Sequence, residues 1–339
     1  MNDNAMWMRD DLIVVAGGGG FIGGHLIEEL RRQGCKRLRA VDCKPLSQWY
    51  QRFDDVENLV LDLNRPEACD VAVKGAGYIF NLAADMGGMG FIESHKAACM
   101  LSVLINTHLL MSARDHGVKR FFYSSSACVY AGDKQTETDV TALKEADAYP
   151  AMPEDGYGWE KLFSERMCRH FREDYGLQTR VVRYHNVYGP LGTFDGGREK
   201  APAAICRKIA QAKLSSEPEI EIWGDGQQTR SFMYIDDCLH GSLAIMASDW
   251  VEPINVGSAE LVTINQLADI VEEIAGFKVK RNYNLTAPQG VRGRNSDNTL
   301  IRRVLDWEPS IPLRTGLEKT YAWIYDQLRS GVKDAVFNQ

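Results

Sequence analysis

Short apolar runs recur through the first half of the chain, at Leu12–Ala16, Leu38–Val41, Leu59–Leu61, Tyr78–Leu82, Arg120–Ser124 and Thr179–Arg183, and the spacing predicts a strand at each. Between them lie amphipathic stretches of helical period, the two longest over roughly Ser94–His116 and Tyr157–Tyr175. Strands joined through helices need crossover connections, and strands that are apolar throughout are covered on both faces. The pattern therefore predicts an α/β fold built on a doubly wound parallel sheet.

After Pro190 the rhythm changes. Gly and Pro punctuation brackets a short strand at Glu219–Trp223 and a Gly-Asp-Gly turn at 224–226, and helices follow near 263–275 and 315–329. This half reads as a smaller α/β C-terminal domain that binds substrate, formed by 186–231 and 259–339. Residues 1–185, with part of 232–258, form the larger domain. The tail from Ser330 to Gln339 is expected to be loosely attached.

Composition narrows the classes. A chain of 339 residues exceeds one average domain, and 45% hydrophobic with 25% charged residues supplies a full core. A net charge of −7 disfavours nucleic acid or an acidic membrane surface as partner, so any anionic ligand must meet a local basic pocket. Eight dispersed cysteines show neither a Cys-x-x-Cys pair nor a His pair at metal-ligand spacing, which predicts reduced thiols, no metal and a cytoplasmic location. Met1 to Asp11 lacks the features of a secretion signal, and no apolar run is expected to approach a membrane span.

The first strand runs into Gly17-Gly18-Gly19-Gly20-Phe21-Ile22-Gly23, so Gly17, Gly20 and Gly23 stand at three-residue intervals directly before a helix. Such a turn lets backbone approach a pyrophosphate, and the helix start offers it unpaired N–H groups; this is the Rossmann-type signal for a bound dinucleotide. Asp42 ends the second strand, where a carboxylate accepts from a ribose 2′-hydroxyl and repels a 2′-phosphate, favouring NAD; Lys44 nearby leaves NADP open. Asp62 is read either as a partner for the adenine edge or as a turn cap. The small side chain of Ala83, after the fourth strand, lets the dinucleotide lie close.

Tyr157 and Lys161 are four apart on a predicted helix and project from one face. An ammonium and a cationic nicotinamide would lower the phenol toward operating pH, making a base for an alcohol under oxidation. Read alone, the same spacing is also a snorkelling surface pair. Ser126 and Cys128 would share a face if the fifth strand stayed extended, the serine holding an oxygen and the thiol reaching a neighbouring carbon. Read alone, Cys128 is a small buried hydrophobe.

Together the glycine spacing, Asp42, the serine strand and the Tyr157/Lys161 pair resemble the extended short-chain dehydrogenase/reductase superfamily over nearly the whole chain. Arg183-Tyr184-His185-Asn186-Val187-Tyr188-Gly189-Pro190 and Trp223-Gly224-Asp225-Gly226-Gln227-Gln228-Thr229-Arg230 are similar to the substrate-side segments of its nucleotide-sugar members. Four further segments, at 81–91, 125–128, 196–203 and 291–298, resemble the GDP-mannose 3,5-epimerase family within it. The likeness implies bound NAD, GDP-mannose or a related nucleotide sugar as substrate, and a homodimer joined by the two long helices. It also implies hydride transfer at C4 served by Tyr157 and Lys161, and proton exchange at C3 and C5 by Cys128 and Lys200. Gly87, Gly88, Ser126, Asn186, Glu199, Lys200, Ala201, Lys208, Gln228, Thr229, Arg230 and Arg294 would contact substrate. The chain departs from the pattern at Gly18, Gly24 and Ala131, where loop shape is concerned.

The chemistry has its own logic. A ketone at C4 acidifies both flanking C–H bonds, and inversion then needs a proton taken from one ring face and another delivered to the other by two groups of matched pKa. Lys200 otherwise reads as a solvated helix start before Pro202. Lys208, Arg230 and Arg294 could neutralise a diphosphate, with Arg292 as a substitute for Arg294. Two other readings stand beside this one: a single-centre C4 epimerase or decarboxylase acting on a UDP-sugar, which needs no thiol base, and an NAD-sensing scaffold without catalysis.

Overall fold

The computed structural model describes residues 6–331. In chain order the first elements are β1 (Leu12–Ala16), α1 (Phe21–Arg32), β2 (Leu38–Asp42), β3 (Glu57–Val60), α2 (Pro66–Val73), β4 (Ala76–Asn81), α3 (Met89–Ser94), α4 (Lys96–Asp115), β5 (Arg120–Ser126), α5 (Asp155–Tyr175) and β6 (Gln178–Tyr184). There follow β7 (Val187–Tyr188), α6 (Ala201–Ser215), β8 (Glu219–Trp223), β9 (Thr229–Ser231), β10 (Met233–Tyr234), α7 (Ile235–Ala247), β11 (Ile254–Val256), β12 (Leu261–Thr263), α8 (Ile264–Ala275), β13 (Lys280–Asn284), β14 (Gly293–Arg294), α9 (Thr299–Leu305) and α10 (Leu313–Arg329). Most of the tail expected to be loosely attached lies outside the described residues.

Seven strands form one sheet in the order β11-β6-β5-β4-β1-β2-β3, every neighbouring pair parallel. Burial on both faces is visible within β1. Leu12, Val14 and Ala16 pack into a core with residues of α2, α4 and α5, while Ile13 and Val15 pack into the core on the α1 side. Strand order reverses between β1 and β4, so the loops after these two strands open the crevice where an α/β sheet accepts a ligand. β11 reaches this sheet from late in the chain, pairing Ile254 to Val182.

Four expectations change. The third strand is Glu57–Val60 rather than Leu59–Leu61: β3 is an edge, and the polar Glu57 and Asn58 enter the ladder with Arg39 and Ala40, where hydropathy gives no signal. The helix expected over roughly Ser94–His116 is α4, and its start moves to Lys96, since Ser94 closes the separate short helix α3. α4, with 20 residues and an 18-residue window of mean hydropathy 1.3, is long and apolar enough by length and composition to cross a membrane, contrary to the reading that no run approaches a span. Here it packs against α2 and α5, burying Cys99, Leu109, Leu110 and Ala113. The fourth change concerns Cys128 and belongs to the site.

Beyond the large sheet, α6, α8 and α10 pack together beside short sheets β12-β9-β14, β13-β8 and β10-β7. The predicted strand Glu219–Trp223 is β8, and its partner β13 is largely polar, which hid it.

Candidate functional site

The crevice begins with the glycine turn. Gly17 has φ +82°, the left-handed region open to glycine, and a Cβ there would lie 2.9 Å from the backbone nitrogen of Ala83. A Cβ on Gly23 would lie 2.1 Å from the Gly17 carbonyl oxygen, so only glycine lets α1 start this close to β1. Gly20 is the helix N-cap and makes no side-chain capping bond, which leaves the first N–H groups of α1 facing the crevice. Phe21 opens the helix and its ring lies where a Cβ on Gly192 would touch it; Ile22 packs against the core. Asp42 is buried at the end of β2, and its carboxylate accepts from the Lys44 backbone N–H at 3.1 Å. The Lys44 ammonium lies 3.5 Å from the Gly19 carbonyl. These residues fit a dinucleotide: a glycine cradle that any Cβ would fill, a helix start, and a buried carboxylate at the ribose end. Asp62 accepts from the Asn64 backbone and side-chain nitrogens at 3.0 and 2.8 Å, the geometry of the turn cap. Among the described residues no group of three or more His, Cys, Asp or Glu could hold a metal ion.

At the other end of the crevice, Cys128, Tyr157, Phe91, Ile92 and Cys99 form one small buried cluster with Met86 against it. The structure places the thiol and the phenol in one cluster, but Ser126 and Cys128 do not share the face of an extended strand as expected. β5 ends at Ser126, and Ala127–Val129 turn as a 3-10 helix that Ser126 caps by accepting from the Cys128 N–H at 3.2 Å. The two side chains therefore meet through a cap, not through period-two alternation.

Lys161 is almost wholly buried. Its ammonium lies 4.9 Å from the centre of the Tyr123 ring, 5.5 Å from that of Tyr157 and 3.5 Å from a carboxylate oxygen of Glu160. Burial pushes Tyr157 well above the ordinary tyrosine value, Cys128 and Glu160 add to the rise, and the Ser126 hydroxyl opposes it by hydrogen bonding. Glu160 was not anticipated. Its other oxygen accepts from the Tyr123 and Ser164 hydroxyls, both at 3.0 Å, while the oxygen facing Lys161 has no hydrogen-bond donor.

Lys200 caps the start of α6. Burial lowers its ammonium, and the nearby Cys128 is the first of the groups that hold it up. Ala201 is the first residue of α6. Gly87 and Gly88 press against this segment: the Gly88 N–H donates to the Arg198 carbonyl at 2.9 Å, and a Cβ on Gly88 would lie 2.3 Å from the Glu199 carbonyl oxygen. The Glu199 carboxylate is engaged by the Gly197 N–H at 2.7 Å and the Arg207 guanidinium at 3.1 Å.

Each of the basic residues is engaged by protein groups of its own. Arg230 and Arg294 are register partners on β9 and β14. The Arg230 guanidinium donates to the carbonyls of Thr229, Gln289 and Val291, and it has no carboxylate within ion-pair distance among the described residues; burial lowers it to about 10. Arg294 instead turns to the thiol. It lies 3.6 Å from the Cys128 sulfur, donates to Gln135 at 2.7 Å and pairs with Glu154. Arg292, the suggested substitute, is clamped on both oxygens of Asp225 at 2.9 and 2.8 Å. Lys208 donates to the Glu221 carbonyl at 2.6 Å. Gln228 donates to the Trp223 carbonyl, leaving a buried carbonyl oxygen without a partner, and the Thr229 hydroxyl donates to the Thr138 carbonyl at 2.6 Å. Asn186 sits at φ +43°, a conformation costing most residues roughly 1 kcal/mol, and donates to the Ser231 carbonyl.

Glu160, Glu154 and Gln135 had no signal in the sequence. Each is a polar residue in an ordinary setting along the chain, and only folding buries it beside Lys161 or Arg294.

The chain matches the NAD dependent epimerase/dehydratase family over residues 13–257. It is 47% identical over 324 residues to GDP-mannose 3,5-epimerase 1 of Oryza sativa subsp. japonica, an alignment covering 95% of this chain and 84% of the relative. The identity to GDP-mannose 3,5-epimerase of Arabidopsis thaliana is 46% with the same coverage. Among solved structures, UDP-glucose 4-epimerase of Thermotoga maritima, with UDP-glucose, shares the fold at a TM-score of 0.83 and 26% identity, covering 95% of this chain and 99% of its own.

Proposed function

The chain belongs to the NAD dependent epimerase/dehydratase family, and from that premise we propose that it inverts GDP-D-mannose at C3 and C5 to give GDP-L-galactose, with GDP-L-gulose as the C5-only product. It is an NAD-dependent isomerase. The observation that carries the site reading is the buried cluster that Cys128 shares with Tyr157, with the Arg294 guanidinium 3.6 Å from the Cys128 sulfur.

The glycine turn, Asp42 and Ala83 would hold the dinucleotide, with Tyr157 and Lys161 serving the hydride transfer. Bound NAD supplies reversible hydride transfer at C4, and its cationic ring favours the phenolate. Tyr157 takes the C4 hydroxyl proton and returns it; Ser126 holds the C4 oxygen. With a ketone at C4, Cys128 and Lys200 exchange protons at the flanking carbons. For this the thiol gives a proton as acid or accepts one as thiolate, with the Arg294 guanidinium 3.6 Å from its sulfur. Burial lowers the Lys200 ammonium, which makes it a readier proton donor. Arg230, without a carboxylate of its own, is the guanidinium best placed to take a phosphate. Gly87, Gly88, Asn186, Ala201, Lys208, Gln228 and Thr229 complete the sugar-nucleotide side.

We assign residues 1–185 with part of 232–258 to the cofactor domain, and 186–231 with 259–339 to the substrate domain, since β11 joins the large sheet while α6, α8 and α10 pack on one another. A homodimer fits the exposed Met100, Leu101 and Leu104 of α4 and the exposed Trp159 and Phe163 of α5, an apolar face a second copy would cover. Neither nucleic acid nor a membrane is assigned as partner, in keeping with the net charge of −7; eight free thiols fit a reducing, cytoplasmic setting.

The test is to run the protein on GDP-mannose in D2O and read deuterium in the recovered sugar. Label at C3 and C5 is expected; label at neither removes the proposal. Activity on a UDP-sugar that survives Cys128→Ser and Lys200→Ala would favour a C4 epimerase instead.

A further inference from the structure

The proposed chemistry needs Cys128 and Lys200, from segments more than seventy residues apart in sequence, to keep a fixed separation across one sugar. One side chain touches the surroundings of both. The Arg198 guanidinium lies 3.7 Å from the centre of the Phe91 ring, and Phe91 belongs to the buried cluster that holds Cys128 and Tyr157. The same guanidinium donates to the Asp85 carboxylate at 2.7 Å and to the Met86 carbonyl at 3.3 Å. Arg198 stands two residues before Lys200, and its own carbonyl accepts from the Gly88 N–H at 2.9 Å.

The two ends of this clasp differ in how they are held. Asp85 is fixed from behind, its backbone N–H donating to Ser102 of α4 at 2.9 Å, and it follows Ala83 beside the glycine turn. The Lys200 side is tied to α6, which Lys200 caps, and to Glu199, which accepts from the Gly197 N–H at 2.7 Å and from the Arg207 guanidinium of α6 at 3.1 Å. It enters through Gly196 and Gly197, at φ +85° and +86°, and nothing lies within 4 Å of the Cβ position on Gly197. Toward α3 and the cluster around Cys128, the segment is held by the Arg198 side chain and by the Gly88 N–H bond to the Arg198 carbonyl. The ion pair itself is solvent-exposed on both sides and screened, so the stack on Phe91 and the backbone bond at Gly88 give the clasp its direction.

We infer that Arg198 is a positioning residue, clasping Asp85 and Phe91 so that Lys200 keeps its place relative to Cys128. The inference rests on the proposed epimerase reading and deepens it. Arg198 acts through Lys200 and takes no proton itself. Loss of the clasp lets Lys200 drift while Cys128, Tyr157 and the cofactor end stay put, so the two proton exchanges are affected unequally.

The experiment compares wild type, Arg198→Met, Arg198→Lys, Asp85→Asn and the double variant Arg198→Met/Asp85→Asn on GDP-mannose in D2O, reading the ratio of label at C3 to label at C5 together with kcat and KM. Arg198→Met is expected to shift the label ratio about threefold or more and to lower kcat roughly tenfold, with a smaller change in KM. Arg198→Lys keeps a charge over Phe91 and is expected to restore most of the ratio. Asp85→Asn is expected to move the ratio the same way by less, and the double variant to go no further than Arg198→Met alone. The ratio does not depend on how much enzyme is folded, so a destabilised variant still reports. Equal loss of both labels in Arg198→Met, with an unshifted ratio, overturns the positioning role while leaving the epimerase reading intact. A wild-type protein that labels neither carbon overturns both.

Discussion

The two ends of the crevice are built on opposite plans. The cofactor end is mostly backbone from consecutive residues: a strand, a glycine turn and a helix start within Leu12–Arg32, closed by Ala83 and Asp42. The sugar end is side chains from scattered segments, with Cys128 after β5, Tyr157 in α5, Lys200 before α6, and Arg230 and Arg294 on paired short strands. A backbone site fails when atoms are added and no space exists, whereas a side-chain site fails when a charge or a proton carrier is removed. The difference teaches where substitutions should be selective. Damage at the glycine end should take away the cofactor and every later step with it, while damage at the sugar end should separate oxidation from proton exchange.

The widest expected effect sharpens that separation. Cys128→Ser should slow epimerisation by roughly 10²–10⁴-fold, the range for losing an acid/base group, while addition of GDP-mannose still changes the reduced-nicotinamide absorbance. Loss of that absorbance change as well would place Cys128 in the oxidation step. Next, Gly23→Ala forces a Cβ to within 2.1 Å of the Gly17 carbonyl. Overpacking of about 1–3 kcal/mol would weaken NAD retention roughly tenfold to a hundredfold, measured by cofactor released on gel filtration. Unchanged retention would show that the dinucleotide does not need this turn closed.

Glu160→Gln probes the coupling between the two ends. The Glu160 charge is one cause of the raised Tyr157 phenol, and the phenolate is the form that accepts the C4 proton, so activity rises as pH climbs through that pKa. Neutralising Glu160 lowers the phenol, and the acid limb of kcat/KM should move to lower pH. A limb that stays put, with activity merely reduced, would reduce Glu160 to a packing group. The smallest effect is Lys208→Ala, where a partly exposed ammonium bonded to the Glu221 carbonyl should change KM by only a few-fold, about 0.2–1 kcal/mol. A hundredfold rise would put Lys208 at the centre of phosphate binding and displace Arg230.

Local order along the chain explains which parts were legible. The first-half strands, the glycine turn, Asp42 and the Tyr157/Lys161 spacing are short-range patterns, and helices and parallel strands impose such periods directly. The bounds of β3 shifted and β13 escaped because their pairing draws on polar residues at sheet edges, where register and not hydropathy makes the strand. Arg294 was assigned from its basic character to a phosphate, yet the fold sets it on the Cys128 sulfur with Glu154 behind it.

The sequence by itself determined the parallel sheet, the dinucleotide turn and the list of groups able to do the chemistry, because each depends on neighbours a few residues apart. Only the tertiary structure decided the electrostatics of those groups. Burial raises Tyr157 and lowers Lys200, the Glu160 carboxylate lies 3.5 Å from the Lys161 ammonium, and Arg198 ties the lysine loop to the cluster around the thiol. Desolvation and long-range ion pairs depend on what surrounds a group in space, which no stretch of chain can specify alone.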